Sequence, residues 1–179
     1  MTIHETPDFC AETEARAAAA AGRLVERLLD KRLTLALAES CTAGLVSDLI
    51  ARISGASGVL WGSFVCYSPE AKERMLGIDG GFLKQYGLVS GETAREMALH
   101  ALETAGVSIA AAVTGLAGPD GDGSDTPVGT VWVAVVRRGE EDRCQVRELH
   151  FRGTRAEVRM AAAAAVIEKL LDSILTKEE

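Results

Sequence analysis

Leu33-Thr34-Leu35-Ala36-Leu37-Ala38-Glu39-Ser40-Cys41-Thr42-Ala43-Gly44-Leu45-Val46 decides how the whole chain reads. The apolar run over about 33–38 has the character of a strand. It gives way to Leu45, Val46, Leu49, Ile50 and Ile53, which recur at helical spacing. Between the two stand a serine and a threonine. The first N–H groups of a helix have no intrahelical partner and lie at the positive end of its dipole. A hydroxyl at Ser40 therefore has two possible uses. It caps the helix, as serine and threonine commonly do, or it attacks a substrate whose developing negative charge those N–H groups hold.

Outward from this turn, strands and helices alternate. Upstream, alanine dominates about 7–32, and Leu24, Val25, Leu28 and Leu29 form an apolar stripe, which predicts a helix. The run from Ala17 to Ala21 is weakly patterned, so about 1–23 read as a helical extension of one domain spanning 1–179. Downstream, Val59 to Tyr67 reads as a second strand, rich in β-branched and aromatic residues. Ser68-Pro69 opens a short helix, with serine at the cap and proline at the first position. Gly77 and Gly80-Gly81 punctuate, and another helix runs over about 90–105. Val107 to Val113 is apolar without alternation, as a strand covered on both faces is. A glycine- and aspartate-rich loop from Gly115 to Gly129 leads to a strand from Thr130 to Val136. After a charged turn, Cys144 to Phe151 alternates and pairs most simply with its predecessor as a hairpin. Thr154-x-x-Glu157 is a capping box for a last helix ending near Leu175.

This order predicts a three-layer α/β/α sandwich around a mixed, mostly parallel sheet. In open α/β sheets ligands bind at the carboxyl ends of parallel strands. Ser40, Tyr67 and Thr114 all fall at such ends.

The composition narrows the function classes. Of 179 residues, 47% are hydrophobic and 25% charged, which supports a globular core. A net charge of -7 argues against a nucleic-acid partner, which selects a basic face. Cys10, Cys41, Cys66 and Cys144 form no C-x-x-C pair, which fits reduced cysteines in a cytoplasmic protein. The N-terminal Met1-Thr2-Ile3-His4-Glu5-Thr6 lacks a signal-peptide pattern. No apolar run approaches the ~20 residues of a membrane helix, so no membrane partner is expected.

Lys72 is the residue that gives Ser40 chemical meaning. Most lysines are solvated. On a helical wheel, however, Ala71, Met75, Leu76 and Ile78 define an inward arc that includes Lys72, with Glu70, Glu73 and Arg74 opposite. A desolvated lysine has a lowered pKa and can serve as a base. The histidines are His4, His100 and His150 alone, and none is well placed for a triad, although His150 is an alternative base. Gly115-Leu116-Ala117-Gly118-Pro119-Asp120-Gly121-Asp122-Gly123-Ser124-Asp125 is neither a P-loop nor an EF-hand. It reads as a flexible turn, or as a loop from Thr114 to Pro119 whose small residues admit a phosphate or ribose to the backbone. The aspartates beyond read as solvated turn residues. No His/Cys cluster points to a metal. Arg155, at the start of the last helix, opposes the dipole there. It is a surface arginine or a phosphate ligand.

Ala38-Glu39-Ser40-Cys41-Thr42-Ala43-Gly44, Tyr67-Ser68-Pro69-Glu70-Ala71-Lys72, Gly87-Leu88-Val89-Ser90, Thr114-Gly115-Leu116-Ala117-Gly118-Pro119 and Pro127-Val128-Gly129-Thr130-Val131-Trp132 together resemble the CinA C-terminal domain family. The resemblance runs from about Leu24 to Leu171. Enzymatic members of that family are nicotinamide-nucleotide amidohydrolases, so it implies hydrolysis of nicotinamide mononucleotide to nicotinic acid mononucleotide and ammonia, in pyridine nucleotide salvage. It implies Ser40 as nucleophile, Lys72 as base and Tyr67 as a third catalytic residue, a relay coupling Lys72 to Ser40. It places Thr42, Gly44, Thr114, Gly115, Gly118 and Arg155 in substrate binding. It calls for no metal and no cofactor, and for a homo-oligomer, dimer or higher. Thr154 stands where relatives often have aspartate, and Ala43 where glycine is common. The alternative is a non-catalytic nucleotide-binding regulator of the competence or damage-inducible type, which would keep Thr114 and Arg155 without needing Ser40 and Lys72.

Overall fold

Alternation of apolar strands with amphipathic helices produces one twisted sheet with helices on both faces. The computed structural model describes residues 9–175; the first part of the expected N-terminal extension, with His4, lies outside them. The chain runs α1 (Phe9–Asp30), β1 (Leu35–Glu39), α2 (Leu45–Ala51), β2 (Leu60–Val65), α3 (Pro69–Leu76), α4 (Gly80–Tyr86), α5 (Gly91–Ala105), β3 (Ile109–Gly115), β4 (Thr130–Arg137), β5 (Gln145–His150) and α6 (Arg155–Leu175). The sheet order is β2-β1-β3-β4-β5. β1 pairs in parallel with both β2 and β3, while β4 is antiparallel to β3 and β5. Only β4 is reversed, so the expected mixed sheet and terminal hairpin are both present.

The pleat sorts the core into two layers, because successive side chains of a strand point to opposite faces. Leu35, Leu37, Ile109, Ala111, Val113, Val131, Val133 and Val135 face α1, α2 and α6. Ala36, Ala38, Ala110, Ala112, Ala134 and Val136 face α5 and the α3–α4 segment. The second face is built largely of alanine, and α5 answers with Ala94, Ala98 and Ala101, so helix and sheet approach closely. β3 is buried on both sides, as its unbroken apolar run predicted.

Two local readings differ from the sequence expectation. The alanine run from Ala17 to Ala21 is not a free arm: Ala17, Ala20 and Ala21 are buried in the core, with α6 packed against α1. And α4 was missed behind its two glycines. Its start is made by the Asp79 carboxylate, which accepts from the Phe82 N–H at 2.9 Å, a strong N-cap in a segment that lacks helical propensity. The caps that were expected are in place. Ser68 accepts from Ala71 N–H, and Thr154 and Glu157 bond to each other's end of the first turn of α6.

Gly129 closes the long loop against β5. It has φ 93, and a Cβ there would lie 2.0 Å from the Phe151 carbonyl oxygen. Gly139 has φ 79 but open space around it. Gly139→Ala therefore costs only the left-handed strain, about 1–2 kcal/mol. Gly129→Ala adds a backbone collision and is expected to lose clearly more in urea unfolding; equal losses for the two would overturn this account.

Candidate active site

The site is built where β1, β2 and β3 end together. In register, Glu39 lies beside Val65 and Val113. The ladder continues one step further, with Ser40 N–H donating to Val113 O at 3.0 Å and Cys66 N–H to Glu39 O at 2.8 Å. The backbone of Ser40 is thus still tied to the sheet while its side chain faces the rim.

Ser40 does not cap α2, and here the sequence expectation is corrected. The helix begins five residues later, after Gly44, with no side-chain cap of its own. Its N-terminus is filled by the buried carboxylate of Glu39. Oε2 accepts from the Thr42 hydroxyl (2.8 Å), Gly44 N–H (2.9 Å) and Val46 N–H (3.1 Å). Oε1 accepts from Ser47 N–H and the Ser63 hydroxyl, both at 3.0 Å. A negative charge at a helix N-terminus is favourable, so the loop needs no serine cap. Consequently the N–H groups at the start of α2 are already used, and they are not the ones left to meet a substrate anion.

Ser40 is 8% exposed and Lys72 only 1%. Lys72 projects from α3, which Ser68 and Pro69 start and Gly77 ends. Its Nζ is hydrogen-bonded to Ser40 Oγ at 3.0 Å and donates to Cys66 O at 2.9 Å. The inward position of Lys72 is as the wheel predicted, but the arc is turned: Leu76 and Ile78 are buried beside it while Met75 is 44% exposed. Burial pushes the Lys72 pKa below the 10.5 of a free lysine. The charges that act against this shift are the Cys66 and Cys41 thiols. Those thiols are themselves pushed up to about 11 by burial. They are neutral near pH 7 and supply no counter-charge.

Above this pair opens a cavity of about 270 Å3, lined by Ser40, Cys41, Tyr67, Lys72, Leu88, Val89, the Thr114–Gly118 segment, Asp120, Asp122 and Arg155. Arg155, at the first position of α6, reaches across it. Its Nη1 donates to Gly118 O at 2.7 Å, and its Nη2 to the Tyr67 hydroxyl. Both partners are neutral, and among the described residues no carboxylate is paired with the guanidinium. Gly118 has φ 78, and a Cβ there would lie 2.6 Å from Val128 Cγ1; only glycine brings that carbonyl to Arg155. Thr114 donates to Leu88 O at 2.7 Å and so holds the 87–89 segment in the wall.

Of the residues singled out from sequence, Ser40, Tyr67, Lys72, Thr114, Gly115, Gly118 and Arg155 converge on this cavity. Thr42 and Gly44 do not line it. Thr42 is fully buried with its hydroxyl on Glu39, and Gly44 is a φ 93 turn residue. Tyr67 does not couple Lys72 to Ser40, since they meet directly and its hydroxyl serves Arg155. Asp120 and Asp122 stand at the cavity mouth rather than away from it, although Asp122 also accepts from Ser124. His100 and His150 are not in the lining; they lie beside Glu96 and Glu148. Two participants were missed. Glu39 was passed over inside an apolar strand, although a lone carboxylate at that point is itself a signal. Arg159, one turn after Arg155, donates from Nε to Cys41 O at 3.1 Å and from Nη2 to Thr42 O at 2.7 Å.

The sequence profile of the CinA C-terminal domain matches residues 17–174. The chain belongs to the CinA C-terminal domain family. It is 44% identical over 147 residues to a CinA-like protein of Geobacter sulfurreducens, covering 82% of this chain and 35% of that one. It is 42% identical over 156 residues to a CinA-like protein of Citrifermentans bemidjiense, covering 87% and 37%. The chain thus spans about a third of the length of these relatives. Among solved structures it is similar to the competence/damage inducible protein CihA from Agrobacterium tumefaciens, with TM-score 0.84 and 32% identity over 96% of this chain and 98% of that one. It is also similar to the competence damage-inducible protein A of Klebsiella pneumoniae, with TM-score 0.86 and 28% identity over 90% and 99%. The profile match takes in the alanine run that the motif resemblance, starting near Leu24, left out. Ala43, where the family pattern commonly has glycine, adopts φ 51, a conformation glycine enters without strain. Among the described residues of this CinA-family chain no helix is long and apolar enough to cross a membrane, and no group of His, Cys, Asp or Glu is placed to hold a metal ion.

Two expectations follow from the buried charges. Glu39→Gln replaces one acceptor oxygen by an NH2 group that faces donors, whichever way the amide turns. It is expected to lower stability by roughly 1.5–3 kcal/mol or more, read by urea unfolding; a neutral effect would show that the carboxylate does not organise the turn. For Lys72, the folded pKa lies below 10.5 and the unfolded one at the free value. Between them the unfolded chain holds a proton the folded protein has released, so wild-type stability rises with pH in that window. Lys72→Met lacks this slope. The wild type is expected to gain on the variant as pH rises towards the free-lysine value of 10.5, and a constant difference would mean that burial does not lower the Lys72 pKa.

Proposed function

We propose that the chain is a nicotinamide-nucleotide amidohydrolase, converting nicotinamide mononucleotide to nicotinic acid mononucleotide and ammonia. The observation that carries this reading is the buried Lys72 amine, hydrogen-bonded to Ser40 Oγ at 3.0 Å with its pKa lowered by burial. A neutral amine is a competent base for a serine, and His100 and His150 do not line the cavity. The Arg155 charge at the opposite wall favours a substrate bearing an anion such as a phosphate. Membership of a family with amidohydrolase members supports the reaction class.

In this mechanism Lys72 takes the Ser40 proton as Oγ attacks the carboxamide carbon. The carbonyl oxygen gains the negative charge, and backbone N–H groups after Ser40 hold it. The tetrahedral intermediate collapses, the amide nitrogen receives the proton from Lys72, and ammonia leaves. Lys72 next removes a proton from water, which attacks the ester on Ser40. The carboxylic acid departs and the hydroxyl regains its proton. No step draws on a metal or cofactor.

The test is ammonia and nicotinic acid mononucleotide released from nicotinamide mononucleotide by the purified protein. The rate is expected to rise with pH along a limb below the ordinary lysine range. Ser40→Ala is expected to be inactive while unfolding at nearly the wild-type urea concentration. Turnover by Ser40→Ala at the wild-type rate would remove covalent catalysis. A wild-type protein that binds the nucleotide without releasing ammonia would point instead to a regulatory binding module.

A further inference from the structure

Glu39 occupies the N-terminus of α2, so the backbone donors next to Ser40 in the chain that remain for a developing oxyanion lie in the turn before it. The orientation of that turn is fixed from both sides. Ser40 O accepts from Ala43 N–H at 3.0 Å, which sets the plane of the Ser40–Cys41 peptide. Cys41 O and Thr42 O both accept from Arg159 on α6. In a trans peptide the C=O and N–H point in opposite directions. Anchoring Thr42 O on α6 fixes the Thr42–Ala43 peptide, whose N–H holds Ser40 O, and that contact turns the Cys41 N–H away from Ser40 O. Among the described residues the Cys41 N–H donates to no other residue. Ser40 and Cys41 both line the cavity.

We propose that Arg159 is a positioning residue: by holding the Cys41 and Thr42 carbonyls it fixes the turn that aims the Cys41 N–H group as an oxyanion donor beside Ser40 Oγ. This rests on the reading of Ser40 as a nucleophile. A planar guanidinium suits the task because it offers donors in a fixed fork to two successive carbonyls, whereas an ammonium is a compact point donor. The same helix thus sets both ends of the site, with Arg155 on the cavity wall and Arg159 beneath the nucleophile turn.

The test uses a fluorophosphonate, which reports on Ser40 whatever the natural substrate. Serine Oγ forms the P–O bond, fluoride leaves, Lys72 takes the proton, and the phosphoryl oxygen must be held by the same donors as the oxyanion. Labelling of intact wild-type protein at Ser40 is followed by mass spectrometry and compared with Arg159→Met and Arg159→Lys. The expected result is a loss of about a hundredfold or more in labelling rate for Arg159→Met, with the pH midpoint of labelling unchanged. Arg159→Lys, which keeps the charge and one donor group, is expected to fall between and to decide the matter if Arg159→Met does not fold. In nicotinamide mononucleotide turnover the loss is expected in kcat rather than KM. Wild-type labelling rates in both variants would overturn the proposal. So would a slowed reaction whose pH midpoint moves, since that would mean Lys72 had been displaced. A wild type that is labelled but does not deamidate the nucleotide, with labelling still slowed in Arg159→Met, would leave the positioning role standing and remove the substrate. A wild type that is not labelled at Ser40 would remove both.

Discussion

The carboxylate of Glu39 is the constraint on which the rest of the site depends. A buried carboxylate is expensive unless its oxygens are filled with donors. Here five donors from one short stretch and a neighbouring strand fill them. To bring Thr42, Gly44, Val46 and Ser47 onto one carboxylate, the chain must turn sharply after Ser40. That turn forces the left-handed conformations of Ala43 and Gly44. It leaves Ser40 outside the helix, free of a capping role, at the end of a strand whose ladder fixes its backbone. The carboxylate thus takes over the duty that the hydroxyl would otherwise have performed, which releases the hydroxyl for Lys72.

Lys72 is governed by the opposite balance. Its amine is buried without an ionic partner, and the groups it meets are a hydroxyl and a carbonyl. Such a site disfavours the ammonium. The arrangement favours the neutral amine and costs stability below its folded pKa. Serine and proline at the start of α3 and a left-handed glycine at its end fix which face of a two-turn helix points inward. A rotation of one residue would exchange Lys72 for a solvated neighbour.

Much of this was legible in the sequence where one local signal coincided with one structural demand. The unbroken apolar run of β3, the Ser68-Pro69 start and the Thr154/Glu157 box each have a single physical reading, and each is realised. The arrival of Ser40, Tyr67 and Thr114 at one rim followed from strand order alone. What was not legible depended on partners far apart in the chain. Thr42 reads as a substrate ligand until Glu39 is seen to claim its hydroxyl. Tyr67 reads as a relay until Arg155, 88 residues away, is found on its oxygen. The alanine run reads as an arm because alanine carries little hydrophobic contrast, yet small side chains are what close packing of α1 on α6 requires. Asp79 hid α4, since a helix started by its cap rather than by its propensity leaves little periodic trace.

The role of α6 shows how a remote element can set local chemistry. Its first turn is fixed by the capping box, and its body is buried from Val158 to Ile174. The helix is therefore a rigid rod whose first turns point at the strand ends. Two arginines four residues apart lie on one face of such a rod. Arg155 reaches Gly118 and Tyr67, and Arg159 reaches Cys41 and Thr42. Loops after β1, β2 and β3 are thereby tied to the same helix by guanidinium groups whose partners are all neutral oxygens. The Arg155 charge faces the cavity, whose lining also includes the exposed Asp120 and Asp122. The proposed attack on an uncharged carbonyl carried by an anionic molecule suits a site with a buried amine on the serine at its floor and the Arg155 guanidinium at its wall.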